Sequence, residues 1–237
     1  MARIVLIHGS CHGAWCWRDV VPPLVAAGHA VRALDLPSHG EDRTPPGAVT
    51  LDDYAAAIVA AMEGPTVLVG HSMGGYPITA AALAAPGRVA ALVYLCAYVP
   101  RAGLSLADMR RSWPEQPLAP AIRVAPDGVT MTFDPARIEA CFYHDCPPGT
   151  VDHAAPRLSA QPIRPQATAI ADPAPAEALA RHYILCADDR AIPAAFQASM
   201  AAGFARTRIH RLPTGHSPFF AAPERLATLL STIAEAP

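Results

Sequence analysis

Lysine is absent from this chain of 237 residues, and every one of its 18 cations is an arginine. Schiff-base chemistry and a lysine general base are therefore excluded. Charge of either sign is scarce, at 16% of residues, and the formal net charge is -2. Without a basic field to hold a phosphate backbone or an anionic surface, neither nucleic acid nor a membrane is an expected partner. Long apolar runs are also missing: charge, glycine or proline breaks the alanine-rich stretches well short of the roughly 20 residues that a membrane helix needs. The opening residues, MARIVLIHGS, have neither the basic segment nor the apolar stretch and cleavage site of a secretory leader, so a soluble, cytoplasmic protein is expected.

Six cysteines stand at 11, 16, 96, 141, 146 and 186, several inside apolar, strand-like segments where a free thiol packs as a small hydrophobe. CFYHDC, which holds Cys141, His144 and Cys146, lacks a second ligand pair at zinc-site spacing, and no metal is expected. VLVGHSMGG lacks the G-x-G-x-x-G spacing of a dinucleotide fold, and no cofactor is implied.

Hydrophobic residues make up 52% of the chain, which suits a buried parallel sheet in one compact domain spanning 1–237. ARIVLIHG, HAVRALDLP, PTVLVGHS, RVAALVYLCAYVP, RHYILCADD and RTRIHRLPTGH read as strands. Between and after them WRDVVPPLVAAG, TLDDYAAAIVAAME, YPITAAALAAPG and PERLATLLSTIAEA read as helices, the second opened by a threonine cap. The alternation predicts an α/β class with a doubly wound, mostly parallel sheet. It breaks from about Arg101 to Pro175, where proline is dense and strand periodicity is lost. This stretch is expected to be an inserted, mostly helical cap over the active site.

The strongest local signal is Gly70-His71-Ser72-Met73-Gly74, set between a buried strand and a helix. A serine in this strand-turn-helix setting is lifted from the sheet edge on a strained backbone, which makes Ser72 the candidate nucleophile. A serine hydroxyl needs a histidine base and an acid to orient it, in the chain order Ser, Asp, His. His216, in LPTGHSPFF after the last strand, is the one histidine of ten that a loop could return over the serine before a closing helix. Asp188 and Asp189 both follow YILCA and both qualify on chemistry as the acid. Asp35 and His39, in LDLPSHG, are explained by turn capping. Trp113, Phe133, Phe142 and Tyr143 fall in the insertion; Trp113 is the candidate substrate contact, although aromatics there also serve as a lid's own core.

Four separated motifs, IVLIHGSCHGAW, VGHSMGG, ILCADDRAIPAAFQ and GHSPFFAAPERL, together resemble the plant methylesterase and hydroxynitrile lyase family and its small bacterial carboxylesterase relatives. The resemblance covers both flanks of the chain and only loosely the insertion. It implies an α/β-hydrolase fold and a serine esterase that acts on a small-molecule ester through an acyl-enzyme. Counting back from Phe196-Gln197 in the family's D-x-x-x-x-x-x-F-Q pattern selects Asp189 as the acid. The resemblance also implies an oxyanion hole made by the backbone N–H groups of Ser10 and Met73, with His12 and Trp15 shaping the loop, and leaves room for a homodimer. A hydroxynitrile lyase is the nearest alternative, but the main type places lysine after the catalytic histidine, where this chain has Ser217. Lyases also carry threonine or asparagine where it has Gly9. A non-catalytic small-molecule receptor on the same fold is the second alternative, against which all three triad positions are filled.

Overall fold

A computed structural model describes all residues, Met1–Pro237. The chain opens with β1 (Arg3–Ile7), α1 (Val21–Ala26), β2 (Ala30–Leu34), α2 (Leu51–Ala61), β3 (Thr66–His71), α3 (Gly75–Ala84) and β4 (Val89–Leu95). Thr50 and Asp53 cap α2 reciprocally, each side chain accepting from the other's backbone N–H, so the threonine cap predicted from TLDD is present.

The segment after β4 holds α4 (Leu106–Ser112), β5 (Ile122–Val124), β6 (Thr130–Phe133), α5 (Thr150–Ala154), β7 (Gln161–Pro162), α6 (Ile163–Ala167) and α7 (Ala174–Glu177). β5, β6 and β7 form a three-stranded antiparallel sheet, so the loss of strand periodicity expected between 101 and 175 is not complete. Strands of three, four and two residues are too short to show the alternation by which strands are recognised. The chain then returns through β8 (Arg181–Cys186), α8 (Ala194–Met200), β9 (Ile209–Leu212), α9 (Pro218–Ala221) and α10 (Pro223–Glu235).

Six strands make one wholly parallel sheet in the order β2-β1-β3-β4-β8-β9. Alternate side chains feed two apolar clusters: Ile4 and Leu6 join Leu24, Leu226 and Leu230, while Val5 and Ile7 join Tyr54, Ile58, Ile78 and Phe196. Thus α1 and α10 cover one face and α2, α3 and α8 the other, the layering that a buried parallel sheet demands. The strand order reverses between β1 and β3, and in such sheets the crevice beyond the carboxyl ends at this reversal is the binding position. No helix is long and apolar enough to cross a membrane.

Candidate active site

Ser72 stands directly after β3, at that crevice, in the left-handed region with φ of +54°. A β-carbon on Gly70 would lie 2.5 Å from the Gly74 carbonyl oxygen, and one on Gly75 would lie 2.0 Å from that of Tyr98. The glycines therefore let the turn fold tightly enough to hold the serine in its strained conformation.

Across the crevice, the loop after β9 brings His216 to Ser72, with Nε2 3.1 Å from Oγ. On its far side His216 Nδ1 lies 2.7 Å from Asp189 Oδ2. An ionised carboxylate only accepts, so the histidine proton sits on Nδ1 and the Nε2 lone pair faces the serine hydroxyl. The histidine and aspartate side chains are 4% and 0% exposed. The Asp189 carboxylate also accepts from the backbone N–H of Ala191 and Ile192, at 2.7 and 2.8 Å, and from Gln197 Nε2 at 2.9 Å. Asp188 is exposed and joins the fold through its backbone, whose N–H donates to the Thr214 carbonyl.

The loop after β1 faces the same point. The Ser10 N–H has no partner in the protein, while the rest of the residue is pinned: His12 Nδ1 donates to its carbonyl at 2.8 Å, and Gln166 Nε2, from α6, donates to its hydroxyl at 2.8 Å. The same Gln166 amide reaches Met73 Sδ at 3.4 Å. His12 accepts from the Tyr143 hydroxyl at 2.8 Å and stacks on Trp15, as loop-shaping residues should. Burial pushes its pKa down to about 4, which keeps a neutral acceptor on Nε2. Asp35 receives the N–H groups of Ala14 and Glu41, a turn-capping role.

A narrow cavity opens over Ser72, with Leu118, Met131, Phe133 and Phe142 from the insertion forming its apolar wall. Trp113 is not part of that wall. Its ring stacks on Phe196 with centroids 4.8 Å apart, so the expected substrate contact is instead a packing contact at the end of α4. Three polar cavity residues escaped the sequence reading, Tyr98, Arg110 and Gln166, because no local pattern marks which of them turns inward.

The one grouping able to hold a metal ion is His71, Cys96 and His216, whose ligand atoms lie within 4.8 Å of one another. His216 already spends both ring nitrogens on Ser72 and Asp189, and a metal there would compete with that arrangement.

A strained serine at the topological reversal of a parallel sheet, with a histidine and a buried aspartate on the following loops, defines the class of the α/β hydrolases. The model of the Alpha/beta hydrolase family matches residues 4–229. The chain belongs to that family and, within it, to its methylesterase-like group. It is 32% identical to a pyrethroid hydrolase of Sphingobium wenxiniae over 99% of this chain and 88% of that protein. It is 31% identical to salicylic acid-binding protein 2 of Nicotiana tabacum, covering 82% of each. Among solved structures, a pyrethroid hydrolase superposes with a TM-score of 0.87 at 30% identity, covering 100% of this chain and 98% of the other. A methylesterase from Arabidopsis shares the fold, with a TM-score of 0.84 at 23% identity over 99% of each chain.

Proposed function

We propose that this chain is a carboxylic ester hydrolase that works through an acyl-enzyme on Ser72. The observation that carries the reading is the hydrogen-bonded line Ser72, His216, Asp189 at the floor of a cavity. Ser72 Oγ attacks the ester carbonyl carbon while its proton passes to His216 Nε2. The carbonyl oxygen becomes an oxyanion that receives the N–H groups of Ser10 and Met73, each worth about 3 kcal/mol in the transition state. His216 then gives its proton to the departing alcohol as the carbon–oxygen bond breaks. Water attacks the acyl carbon, yields a proton to Nε2, and releases the acid as Ser72 regains its hydrogen. Asp189 holds the imidazole in the required tautomer and stabilises the imidazolium.

The methylesterase, esterase and pyrethroid hydrolase names of the relatives support a small ester as substrate. Residues 101–175 act in this reading as a lid within a single domain that spans the chain. Six free thiols, with no disulfide among them, suit a reducing compartment such as the cytoplasm.

A serine-directed phosphonate tests the assignment, because an activated hydroxyl attacks phosphorus as it attacks a carbonyl. One adduct, on Ser72, with matching loss of ester turnover is expected. An active enzyme that forms its adduct on another serine would remove the mechanism.

A further inference from the structure

Five of the six tyrosine hydroxyls have a partner within the protein: Tyr54 with Gln161, Tyr76 with the Leu104 carbonyl, Tyr94 with Thr79, Tyr143 with His12 and Tyr183 with the Ala97 carbonyl. Tyr98 is the exception. It is 4% exposed and lines the cavity over Ser72. Its backbone is fixed at the site, with its N–H donating to the Ser72 carbonyl at 3.1 Å. Its hydroxyl is not among the fully buried polar atoms, so the donor stays open to whatever enters the cavity, water or ligand.

Arg110, near the end of α4, lines the same cavity and is partly buried. Its side chain takes part in none of the ion pairs or hydrogen bonds of the protein, in contrast to Arg111 beside it, which reaches Asp108 at 2.7 Å. Its backbone carbonyl accepts from Gln116 Nε2 and from the Trp113 N–H. Tyr98, Arg110 and Leu118 also line a second recess, and the one acidic residue there, Glu115, is exposed and not paired with the arginine. Burial raises the Tyr98 pKa, the Arg110 charge lowers it and the Asp189 carboxylate raises it. A guanidinium and a phenol O–H, both unspent and both donors, match the two oxygens of a carboxylate.

We propose that Tyr98 and Arg110 form a carboxylate-binding subsite, and that the substrates this enzyme prefers are half-esters, with an ester at one end of an apolar body and a free carboxylate at the other. The substrate class rests on the reading of Ser72 as nucleophile; the subsite itself does not. The walls supplied by Leu118, Met131, Phe133 and Phe142 would hold the methylenes between the two ends.

The test is kcat/KM for monomethyl esters from succinate to suberate, each against the methyl ester of the monocarboxylic acid of equal chain length. At the best length the half-ester should be favoured by about tenfold, the effect of one charge-assisted contact at a part-exposed site, mainly through KM and less so as salt rises. Arg110→Met should bring the ratio to one or below, Arg110→Lys should keep part of it, and Tyr98→Phe should lower it by about threefold. A wild-type ratio below one at every length would overturn the subsite. So would an Arg110→Met change that lowers both ester types equally. Calorimetric titration of the wild-type and Arg110→Met proteins with the suberate dianion reads the subsite without turnover, and binding should be lost in the variant. If Ser72 fails to react with the phosphonate yet suberate binds through Arg110, the esterase reading fails and the subsite stands; if Ser72 reacts and suberate does not bind, the reverse holds.

Discussion

His71 Nε2 donates a hydrogen bond to the backbone carbonyl of His216 at 2.8 Å. His71, which precedes Ser72, thus fastens the loop that carries His216. This also settles the His71 tautomer: Nδ1 carries no proton, and a β-carbon on Gly9 would lie 2.7 Å from it. His71→Phe keeps a ring there and removes the donor. Ester kcat should fall by one to two powers of ten, roughly the effect of a base displaced by a fraction of an ångström. Phosphonate labelling should still map to Ser72. A variant with unchanged kcat would show that the loop is held without this bond.

Ser72→Ala and His216→Ala should each lower kcat on an activated ester by several powers of ten, and the double variant should be little worse than either. The reason is that the proton transfer and the attack are one event. Additive losses, measured on folded protein, would mean that the two side chains do not act as a unit.

Asp189→Asn and Asp188→Asn should differ sharply. The amide at 189 would face the His216 ring with a donor or force the wrong tautomer, a change that reaches about 10⁴-fold in kcat in the serine protease case. Asp188 is exposed and Asp188→Asn should stay within about threefold of wild type, as surface substitutions do. Side-by-side kcat values at neutral pH decide it. A crippled Asp188→Asn would reassign the acid.

The legible part of this site is the part built from local chain geometry. Gly70, Ser72 and Gly74 are close in sequence because a single tight turn needs all three, and the flanking strand and helix are strongly apolar. The spacing from Asp189 to Gln197 also has a physical basis, since Gln197 Nε2 donates to the Asp189 carboxylate and to the Ile192 carbonyl. Gln161, Gln166, Tyr98 and Arg110 left no such trace. Gln161 and Gln166 act on residues far away in the chain, as Gln166 does on Ser10, Tyr98 and Arg110 face the cavity without a side-chain partner, and one sequence does not show which polar residue turns inward. Trp113 illustrates the converse: an aromatic at the right place in the chain, spent on stacking against Phe196.

Stability should fall as the medium is acidified. His12 is held down to about 4 by burial, and burial also drives His8 and His71 well below the ordinary histidine value. In the unfolded chain these rings protonate near 6.5. From about pH 6.5 down to 4 the unfolded state therefore binds protons that the folded state refuses, so stability rises with pH through that window. For His12 alone the loss on reaching pH 4 is about 3 kcal/mol. Urea midpoints should drop between pH 7 and pH 5, and calorimetry in buffers of different ionisation heat should show proton uptake on unfolding at pH 5. A midpoint that rises on acidification would contradict the buried neutral state of these histidines.

The insertion leaves the sheet after β4 and returns to it at β8, and those two strands are hydrogen-bonded neighbours, with Leu92 opposite Arg181. Its two ends are thus fixed by the sheet whatever lies between them, the condition under which one segment can be exchanged for another during divergence or in the laboratory. Polar bonds to the short loop after β1 restrict that freedom. Ser159 N–H donates to the Cys11 carbonyl, Gln161 Oε1 accepts from the Cys11 N–H, and Gln166 donates to the Ser10 hydroxyl. A grafted or randomised segment would have to keep those three positions while Leu118, Met131, Phe133 and Phe142 vary. Substrate range and catalytic competence would then be inherited through separate residues of one stretch of chain.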